Sequence, residues 1–296
     1  MSNLVTVSTS DTHTLVTIDD GKANALSFDM FDALNGALDD AENAGKVVLI
    51  AGRPGKFSAG FDLSILGQGG DTAMKLLRAG ADMAARLMAF PTPVVLAVSG
   101  HALAMGAMLC MSADYRVGMR GAYKIGLNEA AIGMVLPWFG VELARARLSK
   151  PHFSQAVGNA RIYDPDTAVD AGFLDEVVED SELLARATEI AVQLSALDMA
   201  SHRGCKGRVR EEFFELYESA DTRRELQDGY MTRYLEKAGN PTGRWFEKTP
   251  QHTAGATMQG DNPATKPTRV CRRIRRRITA APAASMPTML RRIWSS

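Results

Sequence analysis

The sequence predicts an α/β domain followed by a helical C-terminal part, and three observations predict it. Two short alternating runs within Leu4–Asp20 flank a Ser/Thr/Asp turn, which is the signal of a hairpin. Two runs that are apolar throughout, Val47–Gly52 and Val94–Val98, read as buried strands. Between and after them come stretches with apolar residues at helical spacing, giving strand, strand, helix and then a helical end.

Ser27 caps a helix that runs to about Asn43, with Phe28, Phe31, Leu34 and Leu38 on one face, and Gly45 stops it. After the strand at Val47 comes "RPGKFSAGFDLSILGQGG" (Arg53–Gly70), read as a long glycine-rich loop. A helix from Asp71 to Met88 turns Leu76, Leu77, Met83 and Leu87 inward. Pro91 and Pro93 bracket the next turn, and beyond Val98 the chain turns through Gly100 into a short helix ending near Ala113. "DYRVGM" and "AYKIG" read as short strands. Helices are expected over 137–148, 151–158, 165–171, 181–197 and 205–237, with a strand at Phe173–Val178.

The chain has 296 residues, 46% of them apolar and 23% charged, as in ordinary globular proteins. Three scattered cysteines make neither a disulfide framework nor a metal-ligand cluster, so no metal and a reducing, cytoplasmic setting are expected. The first residues carry no basic and apolar leader pattern, and no run nears the roughly 18 apolar residues that span a bilayer. The net charge of zero sums two unlike parts: 23 Lys+Arg against 32 Asp+Glu before residue 239, and 11 against 2 after it. The expected organisation is a core over 1–198, a helical region over 199–238, and a basic tail over 239–296, disordered or loosely ordered. The tail's arginines (Arg272, Arg273, Arg275, Arg276, Arg277) read either as a solvated extension or as a contact for an acidic surface or nucleic acid.

"AGRPGKFSAGFDL" (Ala51–Leu63) admits three chemistries. A phosphate-binding P-loop fails because Gly52 and Gly55 are too close and Phe57 follows Lys56. A dinucleotide fingerprint fails because GxGxxG is absent. The third reading is an oxyanion site, with plain packing of small residues after a buried strand as the alternative: Ser58, Ala59 and Gly60 permit a tight fold that would point the Phe61 N–H into a cavity. A second donor is needed, and the helix start after "GHALA" offers the N–H of Met105, unpaired and at the positive end of the helix dipole.

At these residues the chain resembles the enoyl-CoA hydratase/isomerase (crotonase) family. The resemblance rests on "KANALS" (Lys22–Ser27), "FSAGFDL" (Phe57–Leu63), "PTPVVLAVSGHALAMG" (Pro91–Gly106) and "KIGLNEAAIGMVLP" (Lys124–Pro137), in that order. It implies a crotonase-like superhelix of ββα units with a helical C-terminal region that mediates trimers or dimers of trimers. It implies an acyl-CoA thioester whose carbonyl sits between the amides of Phe61 and Met105, with coenzyme A as part of the substrate and no separate cofactor. Adenine contacts would come from Ala23, Ala25 and Leu26 and from Ala59, Asp62 and Leu63. Lys22 and Lys56 are the candidates for the phosphates, with a solvated charge as the alternative for each.

Family hydratases carry two glutamates. The first falls here on Met108, which has no proton to give; the second is Glu129, four residues before Gly133, with Asn128 in place of proline. One carboxylate beside a two-amide hole suits a 1,3-proton shift, so the resemblance favours Δ3,Δ2-enoyl-CoA isomerisation with Glu129 as the single acid/base. Hydration by one glutamate, or acyl-CoA binding without turnover, are the alternatives. Pro137 stands where some family isomerases keep a second acid, which disfavours a dienoyl isomerase. His101 reads as a packing residue or a substrate contact, Asp62 as a loop cap, and Asp114 and Glu142 as surface or pairing groups. Ser58 has no partner for nucleophilic work.

Overall fold

The computed structural model describes residues 4–217. These lie in the first of two units, Met1–Gly243. The expected tail over 239–296 and its arginine cluster lie outside the described residues.

The expected hairpin is present: β1 (Val5–Thr9) and β2 (His13–Ile18) pair antiparallel from Val5–Ile18 to Thr9–Thr14. The two-residue β3 (Ala25–Leu26) leads into α1 (Phe28–Ala44), where the Ser27 side chain accepts the Met30 N–H and Gly45 closes the last turn. Next come β4 (Val47–Ala51), β5 (Gly55–Ser58), β6 (Gly60–Phe61), α2 (Leu63–Leu66) and α3 (Gly70–Ala89). The middle of the chain holds β7 (Val94–Val98), β8 (Gly100–Leu103), α4 (Met105–Ser112), β9 (Tyr115–Met119) and β10 (Ile125–Gly126). After a 3-10 turn at Ala130–Ile132 follow α5 (Trp138–Arg147), α6 (Lys150–Val157), α7 (Pro165–Ala171), β11 (Glu176–Val178), α8 (Leu183–Ser195), α9 (Met199–Val209) and α10 (Glu211–Tyr217).

A six-stranded sheet in the order β1-β2-β4-β7-β9-β11 forms the back of the molecule, parallel except for the first pair. Its central strands are apolar at every position because both faces are covered. Val48, Ile50, Val94, Leu96 and Val98 enter the main core with α1, α3 and α4. Val47, Leu49, Ala51, Val95 and Ala97 face the other way, against Leu183, Ala187, Ile190 and Ala191 of α8. Those four recur at i, i+4, i+7 and i+8, the stripe of a helix laid on a sheet.

Three expectations are corrected. The stretch read as a long loop, Arg53–Gly70, contains β5, β6 and α2. The stretch read as a turn at Gly100 is β8, which pairs with β5 on one side and β10 on the other. These strands are two to four residues long and held by distant partners, so they carry no periodicity of their own. The single helix expected over 205–237 begins earlier, at Met199 behind an Asp198 cap, and breaks at Arg210. There the guanidinium is drawn inward to the Met88 carbonyl (2.6 Å) and Asp114 (2.7 Å). Phe213 of α10 belongs to the main core. The rest of that expected helix lies outside the described residues.

Candidate functional site

The two short strands missing from the sequence reading assemble the site. β3 and β6 pair in parallel, Ala25 with Gly60 and Leu26 with Phe61. The Ala59 N–H donates to the Ala23 carbonyl (3.0 Å) and the Asp62 N–H to that of Leu26 (3.1 Å). The two segments named as adenine contacts are thus zipped side by side.

Polar side chains fix this corner, and the sequence reading gave Asp20 and Asn24 no role in it. Asp20 accepts the N–H groups of Lys22, Asn24 and Ala25 at 2.7–2.9 Å. Asn24, buried and left-handed at φ 51°, donates its amide to the carbonyls of Ile18, Lys56 and Phe57. Ser58 donates to the Asn24 carbonyl (2.7 Å) and accepts the Gly60 N–H (3.1 Å), so its hydroxyl shapes the turn. The available signal was "DDGKAN", rich in the Asp, Gly and Asn that bend backbone through their side chains.

β6 runs directly against the start of α4. A Cβ on Gly60 would lie 2.9 Å from the Ala104 Cβ and 3.2 Å from the Met105 nitrogen, so only glycine allows the approach. The first bond of α4 is donated by the Met108 N–H to the Ala104 carbonyl (3.0 Å), which leaves the Met105 N–H ahead of the helical ladder. Ala104 turns the chain there at φ 50°, a conformation disfavoured for alanine. The side chains of both amide candidates point away to α3: a Cβ on Gly80 would meet the Phe61 ring at 2.4 Å and the Met105 sulfur at 3.2 Å.

A cavity opens beside this junction, lined by Ala59, Phe61, Leu63, Leu66, Leu77, Ala104, Met108, Asn128, Glu129, Ile132, Met134, Val135 and Pro137. Glu129 enters it from the start of the 3-10 turn, where its carbonyl accepts the N–H groups of Ile132 (3.1 Å) and Met134 (2.8 Å). Only 6% of the residue is exposed, and Oε2 has no hydrogen-bond partner among the described residues. Burial among apolar neighbours pushes its pKa up to about 7. Met108, buried in the same wall, reaches toward Gly140 of α5.

Of the residues named from the sequence, Glu129, Phe61, Ala59 and Leu63 line the cavity, and Met105 is buried behind its wall. Leu26 is buried, while Lys22 and Lys56 are exposed outside the lining. Asp62 caps α2, accepting the Ser64 N–H (2.8 Å) and hydroxyl (2.6 Å); the hydroxyl bond above all holds its carboxyl below the usual range. His101 lies outside the cavity: its Nδ1 accepts the Lys124 N–H (3.0 Å) and its ring meets Tyr123 edge-on. Glu142 pairs with Arg145 (3.0 Å). Among the described residues, no helix is long and apolar enough to cross a membrane.

A family model described as enoyl-CoA hydratase/isomerase matches residues 9–250. A solved enoyl-CoA hydratase/isomerase family protein from Pseudomonas syringae is 40% identical with a TM-score of 0.75, over 77% of this chain and 99% of that one. A solved enoyl-CoA isomerase of Mycobacterium tuberculosis is 35% identical with a TM-score of 0.71, over 81% of this chain and 99% of that one. A short-chain-enoyl-CoA hydratase of Clostridium acetobutylicum is 30% identical over 75% of this chain and 91% of its own length.

Proposed function

This chain belongs to the enoyl-CoA hydratase/isomerase family of enzymes, and on that premise we propose that it moves a double bond in an acyl-CoA thioester from C3=C4 to C2=C3. The observation that carries the proposal is a single buried carboxylate, Glu129, in a largely apolar cavity that Met108 also lines, at the position where the family resemblance puts a second acid. The amides of Phe61 and Met105 hold the thioester oxygen. As Glu129 takes a proton from C2, the electron pair spreads onto that oxygen, and each amide aimed there contributes about 2.7–4 kcal/mol to the transition state. Glu129, now protonated, returns the proton to C4, and the double bond is left between C2 and C3. One group serves both steps because a carboxyl with a pKa of about 7 is a competent base and a competent acid at neutral pH.

The same reading makes coenzyme A part of the substrate, with no separate cofactor. Its adenine rests against the zipped segments Ala23–Leu26 and Ala59–Leu63, and Lys22 and Lys56 supply charge for the phosphates. The acyl chain runs along Leu66, Leu77, Met134 and Val135. The test is isomerisation of a 3-enoyl-CoA by the wild type and by Glu129→Gln. The variant is expected to lose 10²–10⁴-fold in kcat, roughly the worth of a positioned base. A variant that isomerises at the wild-type rate would remove Glu129 from the mechanism.

A further inference from the structure

The cavity beside Glu129 is small, with a volume of about 70 Å³. A cavity of roughly 150 Å³ takes up a six-carbon ring, so this one has room for about three carbons. Those are C2, C3 and C4, the atoms between which the proton and the double bond move. An acyl chain longer than four carbons must therefore continue outside it.

The walls decide where. Leu66, Leu77 and Met108 close the inner side. All three are buried in the main core, with Met108 reaching to Gly140 of α5, so a passage there would disrupt close packing. Three large apolar lining residues are exposed instead: Leu63 at 69%, Ile132 at 50% and Val135 at 42%. Leu63 opens α2, on the side given to coenzyme A. Ile132 and Val135 belong to the segment after Glu129. From 130 to 137 no residue is charged or carries a hydroxyl or amide side chain, although Ala130, Ala131, Ile132 and Val135 are all exposed. Singly scattered apolar residues on a surface need no explanation, but a run of them at the mouth of an apolar cavity marks a binding surface.

We propose that the protein selects medium- and long-chain acyl-CoA thioesters, whose carbons from C5 outward leave the cavity across Val135 and lie on the exposed apolar face of 130–135, with Ile132 as a specificity-determining residue. The proposal rests on the placing of the thioester between the amides of Phe61 and Met105, which sets the carbons that fill the cavity. A hydrocarbon tail is the occupant that fits: it brings no polar group, and this face offers none to meet one. It is also continuous with the part of the substrate already inside. Full burial of one methylene strengthens binding about fourfold. A tail on an open face is covered on one side, so about twofold per methylene is expected.

The experiment measures, by calorimetry on the full chain, the Kd of saturated acyl-CoA thioesters of four, six, eight and ten carbons, each below its micellar concentration. Saturated chains bind without reacting. Wild type is compared with Ile132→Ser and Ile132→Leu. Isomerisation of 3-enoyl-CoA thioesters of the same lengths is followed alongside, and gel filtration and thermal melting report assembly and folding. Wild type is expected to bind decanoyl-CoA at least about tenfold more tightly than butanoyl-CoA. Ile132→Ser lowers that ratio about threefold, and Ile132→Leu, which keeps the apolar surface, preserves it. Equal Kd values at all four lengths, or weaker binding of the longer chains, overturn the proposal. A ratio unmoved in folded Ile132→Ser overturns it as well, and a change of assembly with the ratio unmoved assigns the face to a contact between copies instead. Length-dependent binding without isomerisation of any chain upholds the proposal and defeats the isomerase reading. Isomerisation confined to the four-carbon substrate does the opposite.

Discussion

Asp114 meets Lys206 Nζ at 2.6 Å and Arg210 Nη2 at 2.7 Å, and it accepts the Val94 N–H at 2.8 Å. Glu129, more deeply buried, meets no cation among the described residues. Burial raises both carboxyls. At Asp114 the two cations and the amide override it and hold the pKa below the usual range; at Glu129 nothing does, and it rises to about 7. One carboxylate fastens α9 and α10 to the strand edge at Val94. The other is kept poised between two protonation states. A buried acid is therefore structural or chemical according to what the fold places beside it, and the comparison can be broken from either side.

The largest expected effect is on catalysis. Glu129→Gln should abolish isomerisation by 10²–10⁴-fold while leaving the melting temperature at or above that of the wild type, because a neutral amide is easier to bury than a carboxylate. Asp114→Asn should do the reverse. It leaves Lys206 and Arg210 buried with no opposing charge, a loss of about 3–5 kcal/mol of stability. The folded fraction keeps its specific activity. Urea unfolding and isomerisation rates measured on both variants test this exchange. If Asp114→Asn unfolds at the wild-type midpoint, the cation pair contributes nothing, and the contrast with Glu129 is lost.

Proton linkage sharpens the same contrast. Glu129 is raised in the folded state above its ordinary 4.5, so its favourable contribution is complete below that pH and is lost as pH rises toward about 7. The span of roughly 2.5 units corresponds to about 3 kcal/mol. Asp114 is lowered, so its contribution is present above its ordinary 3.8 and fades only as pH falls through and below it. Wild type should then lose stability relative to Glu129→Gln between pH 4.5 and 7, with the gap flat above. Over the same range kcat/KM for isomerisation should rise with pH and level off near 7, as the base ionises. A stability difference that grows toward acid pH would reverse the assigned direction.

The proposed catalytic half of this comparison was legible in the sequence, and the structural half was not. Glu129 could be named through the family resemblance, because the motifs that carry it are local stretches of sequence. The hairpin, α1 and the central strands were legible for the same reason: each carries its own turn residue, cap or apolar run. β3, β5, β6 and β8 escaped because strands this short are defined by their partners; the Ala25–Gly60 pairing spans 35 positions. The ion cluster escaped more thoroughly, since Asp114 and Lys206 are 92 residues apart. Asn128 was visible as a departure from proline, but the burial of its side-chain oxygen was not.

The smallest effect concerns the backbone that joins the two halves. α4 begins at the proposed oxyanion hole and ends at Ala113, whose carbonyl accepts from Arg147 and from Arg210 (3.4 Å). Cations at that end complement the helix dipole, whose positive end faces the proposed thioester site. At the other end Ala104 sits at φ 50° and ψ −121°, a positive-φ conformation outside the left-handed helical well. A sparsely populated geometry of this kind costs an alanine on the order of 1–2 kcal/mol. Glycine would remove the strain but lose about 0.5–1 kcal/mol of its own in conformational freedom. Ala104→Gly should therefore stabilise the protein by no more than about 1 kcal/mol. Because the strain holds the Met105 N–H in place, the relaxed variant should bind substrate as well as the wild type yet turn it over several-fold more slowly. An unchanged kcat would mean that packing of Met105 against Gly80 fixes the amide without help from the turn.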